Sequence, residues 1–116
     1  MGRRTTFALP ICRSLPLVLA LLAPAAQAFD AEAAQVLARQ NNCFKCHSVD
    51  KKKDGPSFKD TAARLKGKPE AQDRIVQHLT TGEKAKFPDG HEEEHKIIKA
   101  KDEAAIRNLA DWILSQ

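Results

Sequence analysis

The sequence predicts one small all-α domain of about four short helices behind an N-terminal export signal. Turn-forming residues divide residues 29–116 into short segments, and apolar residues recur within these segments three and four positions apart. No segment shows the alternation of polar and apolar residues that a half-buried strand requires. No internal repeat or low-complexity segment is present, so the pattern is that of a single domain.

Residues 1–28 have the pattern of a cleaved secretory signal peptide. Arg3, Arg4 and Arg13 give a basic start, residues 15–26 form an apolar stretch, and residues 26–28 are a small-residue cleavage site. The apolar stretch is shorter than the roughly 20 residues that span a bilayer. We therefore expect export to the periplasm, cleavage after residue 28 and no stable membrane insertion of the domain at 29–116.

The charge of the remaining domain is nearly balanced. Residues 1–28 contain three arginines and no acidic residue, so their removal lowers the formal charge from +4 to +1. The basic excess of the full chain therefore gives no reason to expect nucleic acid binding. Cys12 is also lost, which leaves Cys43 and Cys46 in a domain of 88 residues.

The first predicted helix begins after Asp30, whose side chain can cap it, and runs to about Gln40. Asn41 and Asn42 end it directly before the cysteine pair. Its apolar face is predicted to comprise Ala33, Val36, Leu37 and Gln40.

Two further short helices are predicted in the middle of the domain. Ser57 can cap one that runs to Leu65 and is closed by Gly67. Pro69 can start the next, which ends before Gly82. The apolar side of this helix is predicted to comprise Ile75, Val76 and Leu79.

The last predicted helix follows a loop. Residues 83–99 are predicted to be loop-like, with a turn at 88–90 where proline, aspartate and glycine follow one another. Asp102 can cap the closing helix. Its apolar stripe is predicted to comprise Ile106, Leu109, Ala110 and Ile113, beside Trp112.

The chemistry of the chain is carried by the run Cys43-Phe44-Lys45-Cys46-His47. Two thiols at this spacing followed by a histidine are the attachment pattern of a c-type haem. The thiols form thioether bonds to the porphyrin vinyl groups, and the adjacent imidazole reaches the iron. The sequence therefore predicts one covalent haem c with His47 as an iron ligand.

Other uses of the two cysteines fit less well. A disulfide between them would close a very small loop and stabilise little. A thioredoxin-like dithiol would require a βαβ context that the sequence lacks.

Beyond the motif, the domain resembles the class I cytochromes c, small all-helical electron carriers of bacteria. The resemblance rests on a first helix that runs into the cysteine motif, on the run Gly-Pro-Ser-Phe-Lys-Asp at 55–60, and on Leu-Ala-Asp-Trp-Ile-Leu at 109–114. It implies that the first and last helices cross beside a single covalent haem. It also implies that the Pro56 carbonyl accepts a hydrogen bond from the His47 imidazole, and that Phe44 and Trp112 pack around the cofactor.

The chain departs from this family at the sixth iron ligand, which is usually a methionine. The only methionine is Met1, and it would be removed with the signal peptide. Counting back from Trp112, the family's methionine falls within about one residue of His95. We therefore expect bis-histidine ligation by His47 and His95, with a reduction potential lower than that of methionine-ligated relatives. His91, Lys96 and an open sixth position are the alternatives.

With both axial positions filled, the sequence predicts a periplasmic one-electron carrier rather than an enzyme, without catalytic residues. The expected partners are other redox proteins, and Lys45 with Lys51, Lys52 and Lys53 can steer acidic docking surfaces. A monomer is the default for such a carrier. The alternative function keeps the haem but lets the distal histidine detach, which would make the protein a small-gas binding or sensing protein.

The chain also contains two histidine patterns that resemble zinc sites. His91 and His95 enclose three glutamates and satisfy a zinc-protease pattern, but that pattern requires a helix and a third ligand. Combining them with the two cysteines mimics a zinc finger of the wrong spacing and leaves His47 unexplained. His78 is predicted to be a solvated helix residue without a role.

Overall fold

The computed structural model describes residues 1–3 and 28–116; the signal peptide predicted at 1–28 therefore lies almost entirely outside the described residues. The elements, in chain order, are helix α1 at Ala31–Gln40, α2 at Cys43–Cys46, α3 at Phe58–Leu65, α4 at Ala71–Thr80, strand β1 at Lys84–Lys86, β2 at Glu92–Glu94, and helix α5 at Glu103–Leu114. The fold is thus mostly helical. In the described ranges no helix is both long and apolar enough to cross a membrane.

Three of the helices begin at the caps that the sequence predicts. The side chains of Asp30, Ser57 and Asp102 each accept a hydrogen bond from the backbone N–H three residues further on, at 2.9, 3.0 and 2.8 Å. Each such cap contributes about 1 kcal/mol to helix stability. The predicted starts of α1, α3 and α5 are therefore confirmed, whereas α4 begins at Ala71, two residues later than Pro69 suggested.

The segment predicted as a loop contains an antiparallel hairpin. Its register places Lys84 opposite Glu94 and Lys86 opposite Glu92, so opposite charges face one another on one side of the two strands. Gly90 adopts a positive φ of 93° in the connecting turn. The prediction that the domain contains no strand is therefore wrong for these residues. Two exposed, charged strands that pair with each other show no alternation of apolar and polar residues in the sequence.

Helix α1 packs against α5 through small residues. Ala34 and Ala38 of α1 and Ala110 of α5 are completely buried. Methyl side chains let two helix backbones approach closely, so these alanines decide which face of α1 turns inward. Leu37 is buried as predicted, but the predicted apolar face is otherwise wrong. Its exposed members are Ala33, Val36 and Gln40.

A cluster of three aromatic rings joins the helical core to the cysteine motif. Phe44, Phe58 and Trp112 meet edge to face, with centroid separations of 5.4–6.4 Å. Phe58 also stacks on the ring of His47, with centroids 5.6 Å apart and planes 17° apart. The core that α5 helps to form therefore continues directly into the site of the predicted chemistry.

Candidate cofactor site

The cysteine motif forms a single turn of helix, α2. Asn42 precedes it in the left-handed conformation, with a φ of 58°, and the His47 N–H donates to the Cys43 carbonyl at 3.0 Å. Cys43 and Cys46 lie three residues apart on this turn, are half-buried and form no disulfide. Burial raises the pKa of the Cys43 thiol. The turn thus presents both thiols side by side and ends on the histidine.

The His47 ring is oriented by one hydrogen bond. Its Nδ1 lies 2.8 Å from the Pro56 carbonyl oxygen. Because a carbonyl can only accept, Nδ1 must carry the proton, and Nε2 is left as a free lone-pair donor. Burial lowers the pKa of His47, which keeps the ring neutral. His47 therefore has the tautomer that a metal ligand needs.

Gly55 also belongs to the site, although the sequence analysis named it only as part of the resemblance to class I cytochromes c. A methyl group on its Cα would lie 2.7 Å from Nδ1 of His47 and closer still to Cε1. The Gly55 N–H donates to the Cys46 carbonyl at 2.8 Å, which fixes the backbone against the motif. The His47 ring can pack here only because residue 55 has no side chain.

His95 lies across from His47. The centroids of the two rings are 6.1 Å apart, and their planes are inclined by 52°. Nδ1 of His95 is buried and has no hydrogen-bond partner among the described residues. Burial, followed by the proximity of two other histidines, lowers the pKa of His95 to about 4, so the ring is neutral at pH 7.

This pair of rings passes a simple test of fit for a haem iron. Imidazole nitrogens bind a metal at about 2 Å, so two rings on opposite sides of one ion have their centroids about 6 Å apart. The observed 6.1 Å agrees with that separation. Two neutral imidazoles and two adjacent thiols together form a donor set suited to one covalent haem.

The segment that carries His95 is held at three points. The His95 N–H donates to the Glu83 carbonyl at 3.0 Å, and the Ile98 N–H donates to the Leu79 carbonyl at 3.0 Å. The side chain of Asn41 then pairs with Lys99 in both directions: Nδ2 donates to the Lys99 carbonyl at 3.0 Å, and Oδ1 accepts from the Lys99 N–H at 2.8 Å. Asn41 is buried and therefore ties the end of α1 to the segment that carries His95.

His78 has a place at the site that the sequence did not predict. Its ring lies against the ring of His95, with centroids 4.0 Å apart and planes 43° apart. Its Nδ1 is 2.6 Å from a carboxylate oxygen of Glu83, which also accepts from Arg74 at 2.8 Å. Both partners lower the pKa of Glu83. Helical spacing cannot reveal this contact, because His95 approaches α4 from a distant part of the chain.

His91 lies elsewhere, on the hairpin. It is exposed and stacks on Phe87 with centroids 4.3 Å apart, and its two ring nitrogens pair with Asp89 and Glu93. The residues between His91 and His95 form strand β2 rather than the helix that a zinc protease requires. In the described part of the chain, no group of three or more His, Cys, Asp or Glu side chains is arranged to hold a metal ion.

The lysines near the motif differ in their contacts. Lys53 donates from Nζ to the Phe44 carbonyl at 2.6 Å, so it stabilises the loop that follows His47. Lys45, Lys51, Lys52 and Lys53 are all exposed. The positive charge of all four lysines is therefore available to a partner.

Comparison with known proteins identifies similar chains. The family model for cytochrome c matches residues 31–116. The cytochrome c-551 of Pseudomonas aeruginosa is 34% identical over 91 residues, which are 78% of this chain and 84% of that protein. The class 1 cytochrome MtoD from Sideroxydans lithotrophicus ES-1 is 63% identical, with a TM-score of 0.73 over 76% of this chain and 97% of that one. The cytochrome c552 of Nitrosomonas europaea is 32% identical, with a TM-score of 0.56 over 70% and 96%.

Proposed function

The chain belongs to the cytochrome c family, and we propose that it is a periplasmic one-electron carrier whose haem iron is held between His47 and His95. The class I cytochrome c fold and one covalent haem c are common to the family. The observation that carries the proposal is the separation of 6.1 Å between the ring centroids of His47 and His95, which suits one iron between them.

The residues of the motif have distinct roles in this proposal. Cys43 and Cys46 attach the cofactor covalently, and His47 binds the iron through Nε2. The Pro56 carbonyl holds the Nδ1 proton of His47 at 2.8 Å, which fixes the ring and raises its basicity as a ligand. When bound, the haem supplies a reversible one-electron couple between ferric and ferrous iron.

In this proposal His95 takes the place of the methionine that is the usual sixth ligand in the class I cytochromes c that the chain resembles. The only methionine, Met1, is exposed at the start of the chain. Imidazole is a harder donor than a thioether and favours ferric over ferrous iron. The proposal therefore includes a reduction potential below that of methionine-ligated cytochromes c.

A carrier role follows from filled axial positions. With His47 and His95 both bound, the iron has no vacancy for a substrate, so the protein acts by electron transfer and not as an enzyme. The exposed lysines Lys45, Lys51 and Lys52 surround the motif and favour a redox partner with an acidic docking surface. The signal-like residues 1–28 support export to the periplasm.

The function is tested by a redox titration of the mature haem protein together with exposure of its ferrous form to carbon monoxide. A carrier should titrate as a one-electron couple, and its ferrous spectrum should stay unchanged under carbon monoxide because His95 blocks the iron. A His91→Ala variant is the control and should behave identically, since His91 lies on the hairpin. Rapid binding of carbon monoxide would instead favour a gas-binding protein.

A further inference from the structure

We propose that His78 is a positioning residue that fixes the plane of the His95 imidazole. The inference rests on the proposed ligation by His47 and His95 and deepens it. It concerns the way in which the two ligands are held, because the structure supports them by different means.

The two rings differ in their hydrogen bonding. A histidine that binds a metal almost always donates its second ring N–H to an acceptor, which sets the rotation of the ring. His47 has this support from the Pro56 carbonyl at 2.8 Å. Nδ1 of His95 is buried and has no such partner among the described residues. Within the described part of the chain, the only hydrogen bond that acts on the His95 ring is one at the backbone of Lys96, the next residue, so we infer that packing by a neighbouring side chain also limits its rotation.

The ring of His78 provides that contact. It lies against His95 with a centroid separation of 4.0 Å, which is within the range of direct ring packing. His78 is on the last turn of α4, and this helix is anchored in the core by Ile75 and Leu79, which are buried. The His78 ring that packs against His95 is therefore carried by a rigid helix, α4.

Glu83 connects this surface to the backbone of the ligand. Its carboxylate accepts from Nδ1 of His78 at 2.6 Å, and its carbonyl accepts from the N–H of His95 at 3.0 Å. Arg74 holds the same carboxylate at 2.8 Å from one turn earlier in α4. One residue therefore fixes both the main chain of His95 and the ring that packs on its side chain.

The orientation of an axial imidazole has a spectroscopic readout. In low-spin ferric haem, the angle between the two ligand planes determines the splitting of the iron orbitals and hence the g-values in electron paramagnetic resonance. A loss of stability alone leaves these g-values unchanged as long as both ligands stay bound. The g-values and their line widths therefore report on positioning separately from folding.

The experiment compares the ferric mature protein with His78→Ala, His78→Phe and His91→Ala variants. His78→Ala removes the packing surface and should shift or broaden the largest g-value, and it should speed displacement of His95 by cyanide about 10-fold. His78→Phe keeps a ring at this position and should restore both properties. His91→Ala is a matched control, because His91 also pairs with a carboxylate and stacks on a ring, but on the hairpin.

The inference is overturned if His78→Ala keeps the g-values, line width and cyanide rate of the unmodified protein. That result is distinguishable from failure of the proposed function. If the unmodified protein lacks a low-spin bis-imidazole spectrum, or keeps it after His95 and His78 are both replaced, the proposed ligation itself is wrong.

Discussion

The imidazole rings of His47 and His95 lie with their centroids 6.1 Å apart, although 47 residues separate them in the chain. The first ring is fixed by a hydrogen bond to a carbonyl and by a turn of helix that also carries both cysteines. The second is fixed by the backbone of a segment between a hairpin and the last helix. Because the two rings are held by different contacts, we expect substitutions near His47 and substitutions near His95 to have different effects.

Replacement of Gly55 by alanine should disturb the side of the site that contains His47. The added methyl group would lie 2.7 Å from Nδ1 of His47, so either the ring or the backbone must shift, at a cost of about 1–3 kcal/mol in the free energy of unfolding. The shift should also lengthen the hydrogen bond to Pro56 and alter the low-spin spectrum. Denaturant unfolding and electron paramagnetic resonance measure the two effects.

Gly67→Ala is the control for this prediction. Gly67 has a positive φ of 77°, but a methyl group there would meet nothing within 4 Å. Its substitution should cost about 1 kcal/mol from backbone strain and leave the spectrum unchanged. If both substitutions leave the spectrum intact, close packing of Gly55 on His47 does not orient the ligand.

Replacement of Asn41 by alanine should destabilise the segment that carries His95. It removes a buried side chain that pairs in both directions with Lys99, four residues after His95. Loss of these bonds should lower the free energy of unfolding by about 1–3 kcal/mol and increase the rate of cyanide binding to the ferric protein. Stopped-flow absorbance measures the rate.

Asn108→Ala is the matched control for Asn41. The Asn108 amide also pairs in both directions with one main-chain residue, accepting from the Asp30 N–H at 2.7 Å and donating to its carbonyl at 2.8 Å. This clamp joins the start of α1 to α5 and does not touch the ligand segment. Equal cyanide rates in the two variants would contradict a specific role for Asn41.

The ligation should survive mild acid. Burial lowers the pKa of His95 to about 4 from its ordinary value of 6.5. A lowered pKa means that the folded protein binds fewer protons than the unfolded chain, so stability from the neutral ring is complete above pH 6.5 and is lost as the pH falls towards 4. The low-spin absorbance spectrum should therefore persist at pH 5. Conversion to high spin with a midpoint near pH 6.5 would refute this expectation.

Charge reversal beside the motif should slow reaction with an anionic oxidant. Lys52 is exposed on the loop between His47 and Pro56, so Lys52→Glu should reduce the rate of oxidation by ferricyanide several-fold at low salt. The difference should largely disappear at high salt because screening shortens the reach of the charge. Lys86→Glu on the hairpin is the control. An equal reduction in both variants would indicate an effect of net charge rather than of position.

The sequence predicted those parts of the fold that depend on neighbouring residues. The caps at Asp30, Ser57 and Asp102 are local hydrogen bonds over three residues, and all three are present. The cysteine motif is equally local. The hairpin was missed because its strands are stabilised by each other, and the face of α1 was misjudged because the small size of Ala34 and Ala38 outweighs the hydrophobicity of Val36 at a close helix contact.

The site was predicted less completely than the fold for the same reason. The two proposed iron ligands come from different sources: His47 from the motif, and His95 from the resemblance to class I cytochromes c, by its distance to Trp112 along the chain. The support around them depends on contacts between distant segments: Asn41 with Lys99, and His78 with His95. No periodicity or spacing encodes such contacts, so these supporting residues could be found only in three dimensions.

Ligation by His95 is tested by the low-temperature electron paramagnetic resonance spectrum of the oxidised mature protein, compared with a variant that carries both His95→Ala and His78→Phe. The second substitution prevents His78, whose ring lies 4.0 Å from that of His95, from binding the iron in its place. Ligation by His47 and His95 should give a low-spin bis-imidazole spectrum that becomes high-spin in the variant. A high-spin spectrum of the unmodified protein, or an unchanged low-spin spectrum of the variant, would contradict ligation by His95.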